Sequence, residues 1–201
     1  MTTTRTRAVL VALTATAALA LTACGGNDDT TNGAPAATSA PATATAGAHN
    51  AQDVSFAQGM IPHHQQALEM AQLAADRASS AQVRDLAARI EKAQDPEINT
   101  MTGWLKAWGE DVPMAGMDHS GHAGMAGMMS DKDMTALKKA QGADFDTMFL
   151  TMMVEHHQGA VEMAGTEKSK GDYAPATSMA DAIVTAQNAE IKEMNKLLGK
   201  G

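Results

Sequence analysis

Residues 60–71 read "MIPHHQQALEMA", and residues 153–164 return nearly the same phrase as "MVEHHQGAVEMA". The chain has seven histidines, and four of them stand in these two adjacent pairs, set among methionines and small apolar residues. Laying one phrase on the other gives an offset of 93 that extends well beyond it. Asp53 falls on Asp146, Phe56 on Phe149, Met60 on Met153, Glu69 on Glu162 and Met70 on Met163; further along, Ile90 falls on Ile183, Gln94 on Gln187, Glu97 on Glu190, Ile98 on Ile191 and Met101 on Met194. So long a gapless match marks an internal duplication. Each copy, roughly 55 residues, cannot easily close a core alone, so the two should pack together.

Inside each copy the apolar period is helical. Phe56, Met60, His63, Ala67, Met70 and Ala74 step by four and three, while Gln58, Gln65, Glu69, Gln72 and Asp76 form the outward face. Ser80 suits the N-cap of a second helix whose stripe is Val83, Leu86, Ile90, Gln94, Glu97, Met101, Trp104 and Trp108. Two such hairpins predict an all-α four-helix bundle over residues 51–199: repeat one at 51–109, a connecting loop at 110–130, and repeat two at 131–199. The third helix is expected over 131–168 with a break near Gly142, and the fourth over 173–199 with Pro175 in its opening turn. Pro62 and Pro96 fall at interior positions, so both helices are expected to continue with a bend at each proline, residue 62 being the point most open to a local break.

The same stripes turn polar groups inward. His63, His64, His156 and His157 lie in the apolar sector, as do Gln94, Glu97, Gln187 and Glu190. A buried carboxylate needs a partner, because desolvating it alone is too expensive. One account is a hydrogen-bonded polar network that only specifies the bundle. The other is a metal site built from facing helices, with Met60 and Met153 one turn before the histidines and Met101 and Met194 one turn after the glutamates. Repetition of the whole set favours metal. Met148, Met152 and Met179 are read as packing, Glu69 and Glu162 as solvated, and Trp104 and Trp108 as a cap on the apolar end of the hairpin.

Residues 114–129, "MAGMDHSGHAGMAGMM", carry glycines at 116, 121, 124 and 127, which make a regular helix improbable. Met114, Met117, His119, His122, Met125, Met128 and Met129 are therefore expected in an exposed loop, where core packing does not explain thioethers. Such a loop either scavenges oxidants or chelates a soft ion. Thioether with imidazole suits Cu(I) or Ag(I) better than zinc, iron or calcium.

The first fifty residues bear on compartment. Arg5 and Arg7 precede the apolar run "AVLVALTATAALALTA", which reads as a secretory signal over residues 1–23. It ends in "LTAC", residues 21–24, which resembles a bacterial lipobox and makes Cys24 a lipid-anchor site, on the outer face of the cell membrane. As the only cysteine, Cys24 can form no disulfide within the chain. Residues 24–50 then read as a Gly, Ala, Pro, Ser and Thr-rich tether, with His49 solvated at its end. Removing Arg5 and Arg7 leaves 13 basic against 23 acidic residues, a formal charge of −10 that disfavours nucleic acid as a partner.

With "FAQGMIPHHQQALEMA" and "FLTMMVEHHQGAVEMA" each followed downstream by Gln-x-x-Glu-Ile-x-x-Met, the chain resembles the secreted family known as domain of unknown function 305 over residues 51–199. The resemblance implies a ferritin-like four-helix bundle, export or lipidation, and in some members copper binding and tolerance. Ferritin-type sites use Glu-x-x-His on one helix, whereas Glu97 and Glu190 are followed four residues on by Met101 and Met194, which speaks against a di-iron oxidase. No nucleophile motif or phosphate loop is present. The expectation is a non-enzymatic copper lipoprotein for Cu(I) sequestration, buffering or transfer, exchanging metal with envelope proteins. A ferritin-like redox metalloenzyme and a metal-free envelope interaction module are the alternatives; the oligomeric state is left open.

Overall fold

The structure is a computed structural model that describes residues 47–114 and 125–200. The expected signal, Cys24, most of the tether, Met117, His119 and His122 lie outside the described residues. Five helices follow in order: α1 Ala51–Arg77, α2 Ala81–Trp108, α3 Asp131–Lys139, α4 Gly142–Lys170 and α5 Ala174–Leu197. The chain is an all-α bundle in which α1 packs along α2, α4 along α5, and the two hairpins meet through α1 and α4. Among the described residues, no helix is long and apolar enough to cross a membrane.

Local chemistry places the helix ends. Asn50 and Asp53 form a capping box at the start of α1, Ser130 and Asp133 do the same for α3, and the Ser80 hydroxyl accepts from the Val83 N–H at the start of α2. The expected break near Gly142 is a full interruption at Ala140 and Gln141 that separates α3 from α4. Pro175 sits in the opening turn of α5. Both helices continue as expected: α1 runs unbroken through Pro62, and α2 through Pro96. Each proline deletes one i→i−4 bond, from the carbonyl of Gln58 or Lys92, and both residues lie on partly or fully exposed positions where water can serve the freed group.

The core is two apolar halves stacked along the bundle. One holds Ala67 to Ala74 of α1, Val83 to Ile90 of α2, Phe145 to Met153 of α4 and Met194 of α5. The other holds Phe56 to Ile61, Met101 and Leu105, Ala160 and Ala164, and Ala176 to Ile183. His63 and His64, Gln94 and Glu97, His156 and His157, and Gln187 and Glu190 fall between these two sets on the four long helices. A polar belt thus crosses the molecule at mid-height.

The two repeats secure one another through a reciprocal pair of aspartates. Asp146, on α4, accepts from the backbone N–H of Ser79 (3.2 Å) and Ser80 (2.9 Å) and from the Ser79 hydroxyl (2.5 Å), so it holds the turn of the first hairpin. Its counterpart Asp53, on α1, accepts from the N–H of Asp172 (3.2 Å) and Tyr173 (3.0 Å) in the turn of the second. Replacing Asp146 by Ala removes all three bonds across the hairpin interface. A loss of about 2–3 kcal/mol in urea unfolding is expected, larger than for Ser79→Ala.

Candidate metal centre

All four paired histidines are fully buried. The centre of the belt is a contact between copies: the rings of His63 and His156 lie with centroids 3.7 Å apart, tilted by 38°. Burial pushes the His63 imidazole down to about 3, and burial with three neighbouring imidazoles holds His156 well below the usual histidine range. Both rings are therefore neutral at neutral pH, the state in which imidazole coordinates metal.

The other two histidines turn outward to acids. His64 Nε2 donates to Glu97 Oε2 at 2.7 Å and His157 Nε2 to Glu190 Oε2 at 2.7 Å, the same bond made once in each repeat. The glutamates were expected to face the core; they stand at its rim, with side chains 25% and 15% exposed, so that water shares the cost of their charge. Fixing the proton on Nε2 leaves Nδ1 of a neutral ring as the free lone pair, which is how a carboxylate orients a ligating histidine from behind.

Several buried polar atoms in the belt have no hydrogen-bond partner among the described residues: Nδ1 of His63, His64 and His157, both ring nitrogens of His156, and the side-chain oxygens of Gln94 and Gln187. Each such orphan costs on the order of 1–3 kcal/mol, and native structures keep few of them without a functional reason. Met60, Met101, Met153 and Met194 are fully buried on the same helices, one turn from the belt. Among the described residues, no three His, Cys, Asp or Glu side chains are drawn together as a metal shell.

The Met-rich loop was expected to be exposed. Met114 is, at 63%, but residues 125–129 dock on the bundle. Gln66, buried on α1, donates its amide to the Met129 carbonyl (2.9 Å) and accepts from the Met129 N–H (2.7 Å), a paired bond that pins the chain. His63 Nε2 donates to the Ala126 carbonyl at 3.2 Å. The segment can come this close because Gly159 of α4 has no side chain; a Cβ there would collide with the Ala126 carbonyl. Gly127, at φ +78°, is equally confined: a Cβ there would run into the carbonyls of Glu155 and His156. Met129 packs against the core, and Met128 is half-buried. The sulfurs of Met125 and Met163 both lie beside Gly59, 3.7 and 3.8 Å from where its Cβ would be.

Sequence reasoning missed three features here. Gln66 was overlooked because its counterpart is Gly159, so comparing the copies emphasised what they share and hid what differs. Met163 was noted only as the image of Met70. His49, expected to be solvated, stacks on Trp108 with centroids 4.4 Å apart, in a cluster with Trp104 and Tyr173.

Comparison with known proteins places this arrangement. The family model for Domain of unknown function (DUF305) matches residues 53–198. A crystal structure of a DUF305 protein from Streptomyces coelicolor, described as secreted, is 33% identical with a TM-score of 0.67, covering 74% of this chain and 93% of that one. A DUF305 fragment from Deinococcus radiodurans is 32% identical with a TM-score of 0.68, covering 76% and 98%. CopM in its Cu(II)-bound form is 36% identical with a TM-score of 0.63, covering 72% and 94%; CopM is also solved in Cu(I)-bound and Ag-bound forms. No curated protein matches the chain significantly.

Two outcomes follow from the geometry. The folded pKa values of His63 and His156 lie below their unfolded value near 6.5, so the contribution of these rings to stability is present above about pH 6.5 and is lost as pH falls below it, for His63 down to about 3. Relative to His63→Gln/His156→Gln, the metal-free wild type should lose an additional 1–2 kcal/mol or so per ring between about pH 6.5 and pH 5 in urea unfolding; a wild-type-to-variant difference constant with pH would contradict this. Gly159→Ala should leave helix content intact while abolishing hydrogen-exchange protection of the Met129 amide.

Proposed function

The chain belongs to the DUF305 family, and we propose that it is an exported copper-binding protein that holds the ion as Cu(I) for sequestration, buffering or transfer in metal tolerance. The observation that carries this reading is the belt of four buried histidines, each of which keeps at least one ring nitrogen with no hydrogen-bond partner among the described residues. An interior that desolvates two imidazoles from opposite halves and leaves their lone pairs unused stores free energy that a bound cation would recover. Likeness to CopM, solved with copper and with silver, supports a soft ion as that cation.

The donors present suit such an ion. His63, His64, His156 and His157 supply imidazole, and Met60, Met101, Met153 and Met194 supply thioether from the same interior. Glu97 and Glu190 act from behind, as acceptors that fix the proton of His64 and His157. Sulfur with neutral nitrogen favours Cu(I) and Ag(I) over iron, which prefers more oxygen ligands. The loop that carries Met114, Met117, His119, His122, Met125, Met128 and Met129 forms a second, looser site whose docked end lies against His63. Binding rather than turnover is the role.

Export follows from the signal-like residues 1–23 and agrees with the family relative described as secreted. Lipidation at Cys24 would then tether the bundle to the outer face of the cell membrane, where envelope proteins exchange copper with it.

Metal content of the purified bundle, followed by Cu(I) competition against a chromophoric chelator, tests the proposal. Replacing the four belt histidines should weaken binding at least tenfold, and trimming residues 115–124 should lower stoichiometry without loss of helicity. His156→Leu should weaken Cu(I) binding yet leave apo stability unchanged or raise it by about 1 kcal/mol, because it removes a buried imidazole with no partner. Stoichiometric iron, or a protein indifferent to Cu(I), would overturn the reading.

A further inference from the structure

A second buried polar pair lies at the end of the bundle where α1 begins, α4 ends and α5 begins, and the metal-binding reading makes no use of it. Asp53 and Glu167 are both fully buried. Asp53 is saturated with donors: the Asn50 N–H at 2.6 Å, Asp172 N–H at 3.2 Å and Tyr173 N–H at 3.0 Å. Neither carboxyl oxygen of Glu167 receives a backbone N–H. Its neighbours are the Asp53 carboxyl and the amide of Gln52. The two carboxyls crowd the same spot, since a Cβ on Gly171 would overlap the Glu167 carboxyl and lie 2.8 Å from Asp53 Oδ1.

Two ionised carboxyls side by side without water are too costly to coexist. Three N–H bonds keep Asp53 in the charged form, so the one proton that relieves the pair belongs on Glu167, which can then donate it to Asp53. We propose that Asp53 and Glu167 share a single proton, and that this proton latches the corner that seats residues 47–50 and the 171–173 turn. The seat passes through Asp53 in every direction. Asn50 caps α1 and donates its side-chain amide to the Lys170 carbonyl at 2.8 Å; Tyr173 meets Trp104 and Trp108 edge to face; His49 stacks on Trp108. Loss of the Glu167 proton to solvent leaves two buried anions, and separating them means opening this corner.

The other charged and titratable groups do not offer a competing partner. Lys168 of α4 is paired with Asp181 of α5. Lys170 is exposed, Asp172 and Tyr173 act on the pair through backbone N–H, and the His49 ring is stacked on Trp108. Burial, with Asp53 as the charged group that acts on Glu167 among the described residues, pushes the Glu167 carboxyl up to about 8. Asp53 itself, though burial opposes its charge, is held below the usual carboxylate range by its N–H donors. The sign is therefore alkaline. An acid whose folded value is raised stabilises the fold fully below its unfolded value near 4.5 and loses that contribution as pH rises toward about 8.

The test compares metal-free wild type with Glu167→Gln, whose amide keeps a donor to Asp53 and cannot ionise. The two should melt alike near about pH 5, and the variant should exceed wild type by on the order of 5 °C near about pH 9. Wild-type hydrogen exchange at residues 47–53 and 171–173, corrected for intrinsic rates, should accelerate over the same range while the variant does not. A melting difference independent of pH overturns the proposal. Should the variant fail to fold, the carbon-13 carboxyl resonance of Glu167 in wild type decides: a midpoint above about pH 7 supports the latch, and one in the ordinary carboxylate range sinks it. Repeating the melts with calcium separates a proton from a cation, since calcium stabilisation seen only in wild type would overturn the shared-proton assignment.

Discussion

The contact between His63 and His156 is the constraint around which the molecule is arranged. Rings from two halves of the chain meet at 3.7 Å in an interior that keeps them neutral, and everything else in the belt follows from that meeting. His64 and His157 are one residue along, hence rotated about 100° around their helices toward α2 and α5. There Glu97 and Glu190 stand at the rim to receive them. Apolar packing above and below shields the four rings from solvent. An apolar belt would hold the helices together at least as well, so four imidazoles with unused nitrogens are a cost carried for something other than folding.

The duplication made the fold and the symmetric part of the site readable. An offset of 93 with no gaps fixes two hairpins, a helical period orients them, and groups occurring twice, such as His64 with Glu97 and His157 with Glu190, are found because each occurrence supports the other. What differs between the copies was correspondingly hidden. Gln66 faces Gly159 across the offset, and Glu167 faces Ala74; each is half of a feature with no echo to announce it. The burial of Glu167 could have been suspected, since it lies three residues beyond Ala164 and seven beyond Ala160 on the inner stripe of α4. Pro62 was the weakest point of the helical reading, because composition reports the lost hydrogen bond but not the packing on either side that keeps α1 continuous.

Asymmetry also gives the two histidine pairs different surroundings. Residues 125–129 hydrogen-bond a ring of only one of them: His63 spends its Nε2 proton on the Ala126 carbonyl, while neither nitrogen of His156 has a partner among the described residues. One repeat evolved the clamp, Gln66, and the other the vacancy, Gly159, that together admit the connecting chain. The thioethers of Met125 and Met163 meet beside Gly59 as a result. A loop that composition presents as a free chelating arm is, at its C-terminal end, part of the wall of the interior it serves.

The exchange of aspartates between hairpins carries an evolutionary implication. Asp146 holds the turn that begins α2, Asp53 holds the turn that begins α5, and neither repeat ties its own. Reciprocal bonds of this kind are what a twofold-symmetric homodimer makes, each subunit completing the other. The arrangement points to a half-length ancestor that associated as a pair before its gene was joined head to tail. Fusion then released each half from the obligation to remain identical, and left one linker, present once, where the ancestral dimer would have had two free ends.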